Sequence, residues 1–126
     1  DVADVAVIKA NANLQSLRVG DSDDVKVGER VIALGNPAGL SFTVTEGIVS
    51  AVHRTGPNGL NIYIQTDVPI NPGNSGGPLV DANSRIIGLN NFKIGGFEGL
   101  GFAIESNAVK QVTDDIISQY LIRAQQ

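Results

Sequence analysis

Ser75 stands in the segment NPGNSGGPLV, residues 71–80, where glycines flank a single hydroxyl. A serine nucleophile needs an exposed Oγ on a sharp turn and backbone N–H groups that point at the developing oxyanion. Gly73 permits backbone angles that a Cβ would forbid, so the amides of Gly73, Asn74 and Ser75 could turn toward a substrate carbonyl. Gly, Asn and Ser also combine in plain turns, and on these residues alone a plain loop remains the alternative.

Residues 73–77 also match G-x-S-x-G, the nucleophile elbow of α/β-hydrolases. That elbow requires a helix directly after the serine, and its chain order is serine, acid, histidine. Here Pro78 leads into an apolar, strand-like segment, and the single histidine, His53, precedes Ser75. The context therefore excludes the elbow.

The segments that would position Ser75 are short, rich in Val, Ile, Thr and aromatic residues, and bounded by Gly, Asn, Asp or Pro. This spacing predicts an antiparallel barrel or sandwich. Near the end of the chain, apolar residues recur at steps of three and four from 107 to 123, which predicts an amphipathic helix with Ser106 as its N-cap. The predicted strands are 5–10, 30–35, 42–52, 60–67, 77–81, 85–94 and 100–105.

The composition fits one packed domain and narrows the function classes. Apolar residues make up 42% of the 126 residues and charged residues 17%, which argues against disorder. The net charge of −4 comes without a Lys/Arg cluster, so we expect no nucleic acid partner. The chain has no cysteine and one histidine, so we expect neither a metal site nor a cofactor. No apolar run reaches the roughly 18 residues of a membrane span.

The longer string IQTDVPINPGNSGGPLVDANSRIIGLN resembles the nucleophile segment of trypsin-like serine proteases, and more narrowly that of the HtrA/Deg family. VGERVIALGNPAGL, TVTEGIVSAV and GLGFAIESNAV are similar to other segments of that family. The resemblance covers residues 4 to about 113. It implies an all-β, antiparallel Greek-key barrel of the chymotrypsin type, the second of two. Residues 1–105 would form this barrel, with 1–10 as the last strand of the first barrel, and residues 106–126 would form the C-terminal helix.

The resemblance implies that Asp4, which precedes an aliphatic segment, is the acid that orients the catalytic histidine, with Ser75 as nucleophile. Without the resemblance, Asp4 is an acid before a strand. The family's histidine lies some tens of residues before this Asp, whereas only three residues precede Asp4 here. His53 stands near a turn and is interpreted as a surface residue. We therefore expect these 126 residues to lack the general base and to be inactive alone.

Family geometry implies that Pro69 and Ile70 form the floor of the P1 pocket, which suits an aliphatic P1 residue. The strand residues Asn91, Phe92 and Lys93 would pair with the substrate main chain. Gly99 and Gly101 would form the opposite wall, although glycines in such positions also mark bulges or tight strand contacts.

The function implied is a serine endopeptidase of protein quality control that cleaves unfolded polypeptides outside the cytoplasm or in an organelle. We also expect a homo-oligomer, because an unpaired strand 5–10 would exchange between copies. The alternative is a non-catalytic barrel that binds peptides or assembles with itself.

Overall fold

The computed structural model describes residues 3–36, 42–97 and 99–126. In this part of the chain the elements are β1 Arg18–Val19, a 3-10 turn Ser22–Asp24, β2 Arg30–Gly35, β3 Thr43–Arg54, β4 Tyr63–Thr66, β5 Pro78–Val80, β6 Arg85–Lys93, β7 Gly101–Glu105 and α1 Ser106–Ala124. The predicted strands from residue 30 onward and the predicted helix are therefore confirmed, within a few residues at their ends.

Six strands close into an antiparallel barrel in the ring order β2–β3–β4–β7–β6–β5. Strands β2 to β4 follow one another, and β5 then returns to lie beside β2, which is the Greek-key arrangement. Closure through β6 and β7 gives each of the six strands a neighbour on both sides, and the end of β6 beyond its pairing with β5 keeps one side open. β1 pairs in parallel with β6, outside the ring.

The core follows from alternation along the strands. On β2, Val31 and Ala33 are buried while Arg30 is exposed, and on β3 Val49 and Ala51 point inward. Inward-facing aliphatic residues from several strands form one buried cluster, because successive side chains of a strand point to opposite faces. This rigid cylinder carries the loops that follow β4 and β6.

The prediction of a strand at residues 5–10 is wrong for the described chain. Residues 5–10 form no strand, and residues 6–10 are exposed. Their pattern suits a strand, but a strand also needs a hydrogen-bonding partner, and the barrel already pairs its own strands. Residues 1 and 2, which belong to the same predicted segment, lie outside the described residues.

The N-terminus of α1 is anchored differently from the prediction. Glu105 is the N-cap, and Ser106 is the first helical residue, whose Oγ donates to Gly20 O at 2.9 Å. Asn107 N donates to Ser22 Oγ at 3.0 Å, and Asn107 Oδ1 accepts from Ser22 N at 3.2 Å.

The helix α1 leaves much of its apolar face uncovered. Val109 packs against a second buried cluster, formed by Tyr63, Phe102 and Ile104, whereas Ile117, Tyr120 and Leu121 are 45–55% exposed. The barrel therefore covers the apolar face only near the start of the helix. No helix in the described residues is long and apolar enough to cross a membrane.

Candidate active site

Ser75 lies exposed on the turn that leads from β4 to β5, and its Oγ donates to Asn91 O at 2.9 Å. Gly73 has φ +117° and Gly76 has φ +85°, backbone angles that residues with a Cβ rarely adopt. The chain after Ser75 enters β5 at Pro78, with no helix between them. The hydroxyl is thus at the surface, beside two left-handed glycines.

The backbone amides of this turn have different partners. Asn74 N and Ser75 N both donate to Asn71 O, at 3.1 and 3.3 Å, and Gly73 N donates to no acceptor among the described residues. The bond from Ser75 is long for N–H···O and correspondingly weak. An oxyanion placed here would find the Gly73 amide open and would have to displace Asn71 O from Ser75 N.

Asn74 braces the turn from inside. Its side chain is 9% exposed, its Oδ1 accepts from Asn71 N at 3.0 Å, and its Nδ2 donates to Pro69 O at 2.7 Å. These bonds connect the turn around Ser75 to the segment that precedes it.

Asp4 reaches this site although it is distant in sequence. Its Oδ2 accepts from Asn91 Nδ2 at 3.3 Å, while the main-chain oxygen of Asn91 accepts from Ser75 Oγ. Asn91 therefore touches both the carboxylate and the hydroxyl. A cleft of about 330 Å³ lies between them, lined by Asp4, Val5, Ala6, Ser75, Gly76, Leu89, Asn90, Asn91 and Ile104.

His53 is held elsewhere. Its Nδ1 lies 2.8 Å from Glu105 Oε1, and its backbone N donates to the same oxygen at 2.8 Å. His53 also has φ +53°, a strained value for a residue with a Cβ. None of the described residues that line the cleft beside Ser75 is a histidine. The structure therefore places Ser75 and Asp4 on one cleft and pairs His53, near the end of β3, with Glu105 at the end of β7.

A second cavity, of about 460 Å³, contains four of the residues predicted for the P1 pocket, namely Pro69, Ile70, Gly99 and Gly101, together with Lys93. Lys93 Nζ donates to Asn71 Oδ1 at 3.2 Å. The cavity is also lined by residues that the sequence did not predict there, namely Asp67, Val68, Asn71, Phe97 and Leu100. Phe97 could have been predicted as a cavity residue, because it is the one aromatic residue in the glycine-rich segment KIGGFEG.

The other two predicted substrate residues lie apart from this cavity. Asn91 lines the cleft beside Ser75, and the Phe92 ring stacks on Phe102 at 4.8 Å and meets Tyr63 edge-on at 5.4 Å. The Phe92 side chain thus belongs to the aromatic cluster of the barrel, and only its main chain remains for a substrate to pair with.

Gly101 has a packing reason as well as a place in the cavity wall. A Cβ at this position would lie 2.7 Å from Ile70 Cγ1 and 3.0 Å from Val68 O. Any larger residue would push the cavity floor away. Asp67, at the same end of the barrel, accepts from Ile48 N at 2.8 Å.

Comparisons with known proteins agree with this geometry. The family model for the trypsin-like peptidase domain matches residues 1–89. The chain is 49% identical over 118 residues to a probable periplasmic serine endoprotease DegP-like of Halomonas elongata, covering 90% of this chain and 25% of the relative. It is 47% identical over 122 residues to the periplasmic serine endoprotease DegP of Escherichia coli K12, covering 91% of this chain and 26% of the relative.

Solved structures give the same result. An HtrA-type protease AlgW with tripeptide matches with a TM-score of 0.77 and 42% identity, over 88% of this chain and 38% of that one. The same protease with decapeptide matches with a TM-score of 0.76 and 43% identity, over 84% and 34%. The trypsin-like barrel with its C-terminal helix is thereby confirmed, and the chain spans about a quarter of the length of the curated relatives it matches. The chain belongs to the trypsin-like peptidase family, and within it to the HtrA/DegP serine proteases.

Proposed function

We propose that this chain supplies the nucleophile half of an HtrA-type serine endopeptidase, with Ser75 as nucleophile and Asp4 as the carboxylate that orients the base. The observation that carries the proposal is the exposed Ser75 hydroxyl and the Asp4 carboxylate on the walls of one cleft, both bonded to Asn91. The relatives named serine endoproteases support the same chemistry.

In the proposed reaction, Ser75 Oγ attacks the scissile carbonyl and passes its proton to an imidazole in the cleft. That imidazole comes from outside these 126 residues, because their single histidine is bonded to Glu105. The leaving amine takes the proton as the acyl-enzyme forms. Water then attacks the acyl-enzyme, which releases the second product and restores the hydroxyl.

The oxyanion is held by the amides of Gly73 and Ser75, while Asn74 keeps the turn in shape. Two bonds must change before this can happen. Ser75 N exchanges Asn71 O for the oxyanion, and Ser75 Oγ exchanges Asn91 O for the imidazole. Both exchanges replace one hydrogen bond by another, so the turn can adopt the reactive form at small cost.

The substrate proposed is an unfolded polypeptide with an aliphatic P1 residue. Pro69 and the buried Ile70 offer an apolar floor, and no carboxylate stands at the position of either residue. The open side of β6, from Asn91 to Lys93, pairs with the substrate main chain, and Gly99 and Gly101 leave room for the P1 side chain. The related protease solved with a tripeptide and with a decapeptide supports peptide binding by this fold.

The location proposed is outside the cytoplasm, since the relatives are named periplasmic.

We further propose that the parent molecule is a homo-oligomer. The proposal rests on the segment 5–10, which pairs with no strand among the described residues and whose Ile8 is 89% exposed, so pairing with another copy would cover it. The solution mass of the intact gene product, determined by light scattering, tests this, and a monomer contradicts it.

The test of function compares casein cleavage by three proteins: the 126-residue chain, the intact gene product, and its Ser75→Ala variant. We expect cleavage by the intact product, none by Ser75→Ala, and none by the chain alone, which has no base beside Ser75. Cleavage by the intact product that survives Ser75→Ala would refute the role of Ser75 and favour a non-catalytic peptide-binding barrel. In a peptide series that varies the P1 residue, peptides with Val, Ile or Ala at P1 should be cleaved faster than peptides with Lys or Asp.

A further inference from the structure

Asn90 lies on β6 directly behind the nucleophile turn and is 1% exposed. We infer that Asn90 is a positioning residue that aims the Ser75 amide at the oxyanion. This inference rests on the proposed function of Ser75. It adds a residue that touches neither substrate nor the attacking hydroxyl.

Four hydrogen bonds connect Asn90 to the turn. Its Nδ2 donates to Asn74 O at 3.2 Å and to Pro78 O at 3.3 Å. Its main-chain N donates to Gly77 O at 2.9 Å, and its main-chain O accepts from Gly76 N at 2.6 Å. The turn from 74 to 78 is therefore attached to one residue of the barrel wall.

The planarity of the peptide bond gives this attachment its effect. In a trans peptide the C=O of one residue and the N–H of the next point in opposite directions. Asn74 O is held toward the barrel by Asn90 Nδ2 and by Gly77 N, at 3.2 and 2.9 Å. The N–H of Ser75 then points in the opposite direction, where it donates to Asn71 O at 3.3 Å in the bond that the oxyanion would replace. Rotation of this one peptide would turn the amide away and bring a carbonyl oxygen in its place.

The other end of the Asn90 amide shows what the residue contributes. Oδ1 is buried and accepts no hydrogen bond from the residues that the structure describes. The amide cannot be reversed to repair this, because both neighbours of Nδ2 are carbonyl oxygens, which accept and do not donate. A buried polar atom without a partner is unfavourable, and leucine, of similar shape, would avoid it. The Nδ2 donor is thus the property that asparagine alone supplies here.

The experiment measures kcat and KM of the intact gene product on a chromogenic peptide with Val at P1. Asn90→Leu keeps the shape and removes the donor. We expect kcat to fall about ten- to a hundredfold while KM stays within about twofold, because an oxyanion donor acts in the transition state. The temperature of thermal unfolding should change little, because removal of the unpaired Oδ1 offsets the loss of the two hydrogen bonds that Nδ2 donates. The control is Asn83→Leu in the exposed turn before β6, which should change neither constant.

Asn90→Asp provides a second readout. Burial raises the pKa of a carboxyl group, and its protonated form offers an O–H donor where Nδ2 was, whereas its ionised form offers none. The ratio of its kcat to that of wild type should therefore rise as the pH falls, and Asn90→Leu should show no such rise.

Each outcome decides the matter. An Asn90→Leu variant that keeps its kcat, or loses activity only in proportion to lost folding, overturns the positioning role, as does a flat pH ratio for Asn90→Asp. Ser75→Ala separates the two proposals. If Ser75→Ala keeps activity, the proposed function has failed, whereas if only Asn90→Leu keeps activity, the role of Asn90 alone has failed.

Discussion

Gly35, the last residue of β2, lies against the backbone of the turn that carries the proposed nucleophile Ser75. A Cβ at Gly35 would stand 2.5 Å from Gly73 O and 2.7 Å from both Cα and Cβ of Asn74. Ordinary contact begins at 3.4 Å, so the turn would have to move back by about 0.9 Å. None of these atoms is the far end of a flexible side chain. Gly35→Ala therefore acts on the predicted oxyanion hole from the barrel side.

The magnitude follows from this displacement. Overpacking of this kind lowers the free energy of unfolding by about 1–3 kcal/mol. A misplacement of catalytic groups by about 1 Å can cost about 100-fold in rate. We expect Gly35→Ala to lower the free energy of unfolding by about 1–3 kcal/mol and to lower kcat/KM of the intact gene product about 100-fold. The loss of rate should exceed what the loss of folded protein explains.

The assays are urea denaturation and cleavage of a peptide with Val at P1. Gly95→Ala is the matched control for stability, because a Cβ there meets nothing within 4 Å and the residue has no left-handed φ. The free energy of unfolding of Gly95→Ala should stay within about 1 kcal/mol of the wild-type value. This difference measures the effect of Gly→Ala on the unfolded chain. If Gly35→Ala matches Gly95→Ala in stability and wild type in kcat/KM, the argument from close contact is refuted.

Two further predictions concern the anchoring of the barrel ends. The pKa of Asp21 is lowered from its ordinary value of 3.8, first by the hydrogen bond from Asn107 and then by that from Asp23 N. A carboxyl group of lowered pKa stabilises the fold above its unfolded pKa and loses this effect as the pH falls through its folded pKa. The urea midpoints of wild type and Asp21→Ala should thus differ at pH 7, and this difference should shrink as the pH falls below 3.8, whereas a constant difference would contradict the assignment. Glu105→Ala should lower the free energy of unfolding by about 1–3 kcal/mol, because it removes the acceptor of both His53 N and His53 Nδ1. Glu105→Gln keeps an acceptor and should lower the free energy of unfolding by less. Equal losses in the urea curves of the two variants would show that the acceptor is not the cause.

Much of the barrel could be predicted because its signals are local. β2 alternates inward Val31 and Ala33 with outward residues, and this pattern is a property of a few neighbouring residues. The same holds for the helix and for the turn around Ser75, where the glycines are needed by the backbone itself. The wrong strand at residues 5–10 shows the limit, because a strand depends on a partner elsewhere in the chain.

The walls of the proposed P1 cavity show the limit again. Pro69 and Ile70 were expected from the resemblance to the protease family, whereas Phe97 and Leu100, from the loop before β7, are brought to the same cavity only by the folded chain. Phe92 was predicted to pair with the substrate through its main chain, and no sequence signal indicated that its ring joins the aromatic cluster with Phe102. Side-chain direction at the end of β6 depends on the irregular pairing between β6 and β7, which the sequence pattern does not reveal.

By itself the sequence determined the types of the elements from residue 30 onward, the family and the serine turn, because these depend on residues that are neighbours in the chain. Only the tertiary structure decided that Asn91 reaches Asp4, 87 residues away, that His53 pairs with Glu105, and that Asn90 stands behind the peptide that carries the Ser75 amide. The physical reason is that barrel closure sets the distances between residues far apart in sequence, and hydrogen-bond chemistry acts only over about 3 Å.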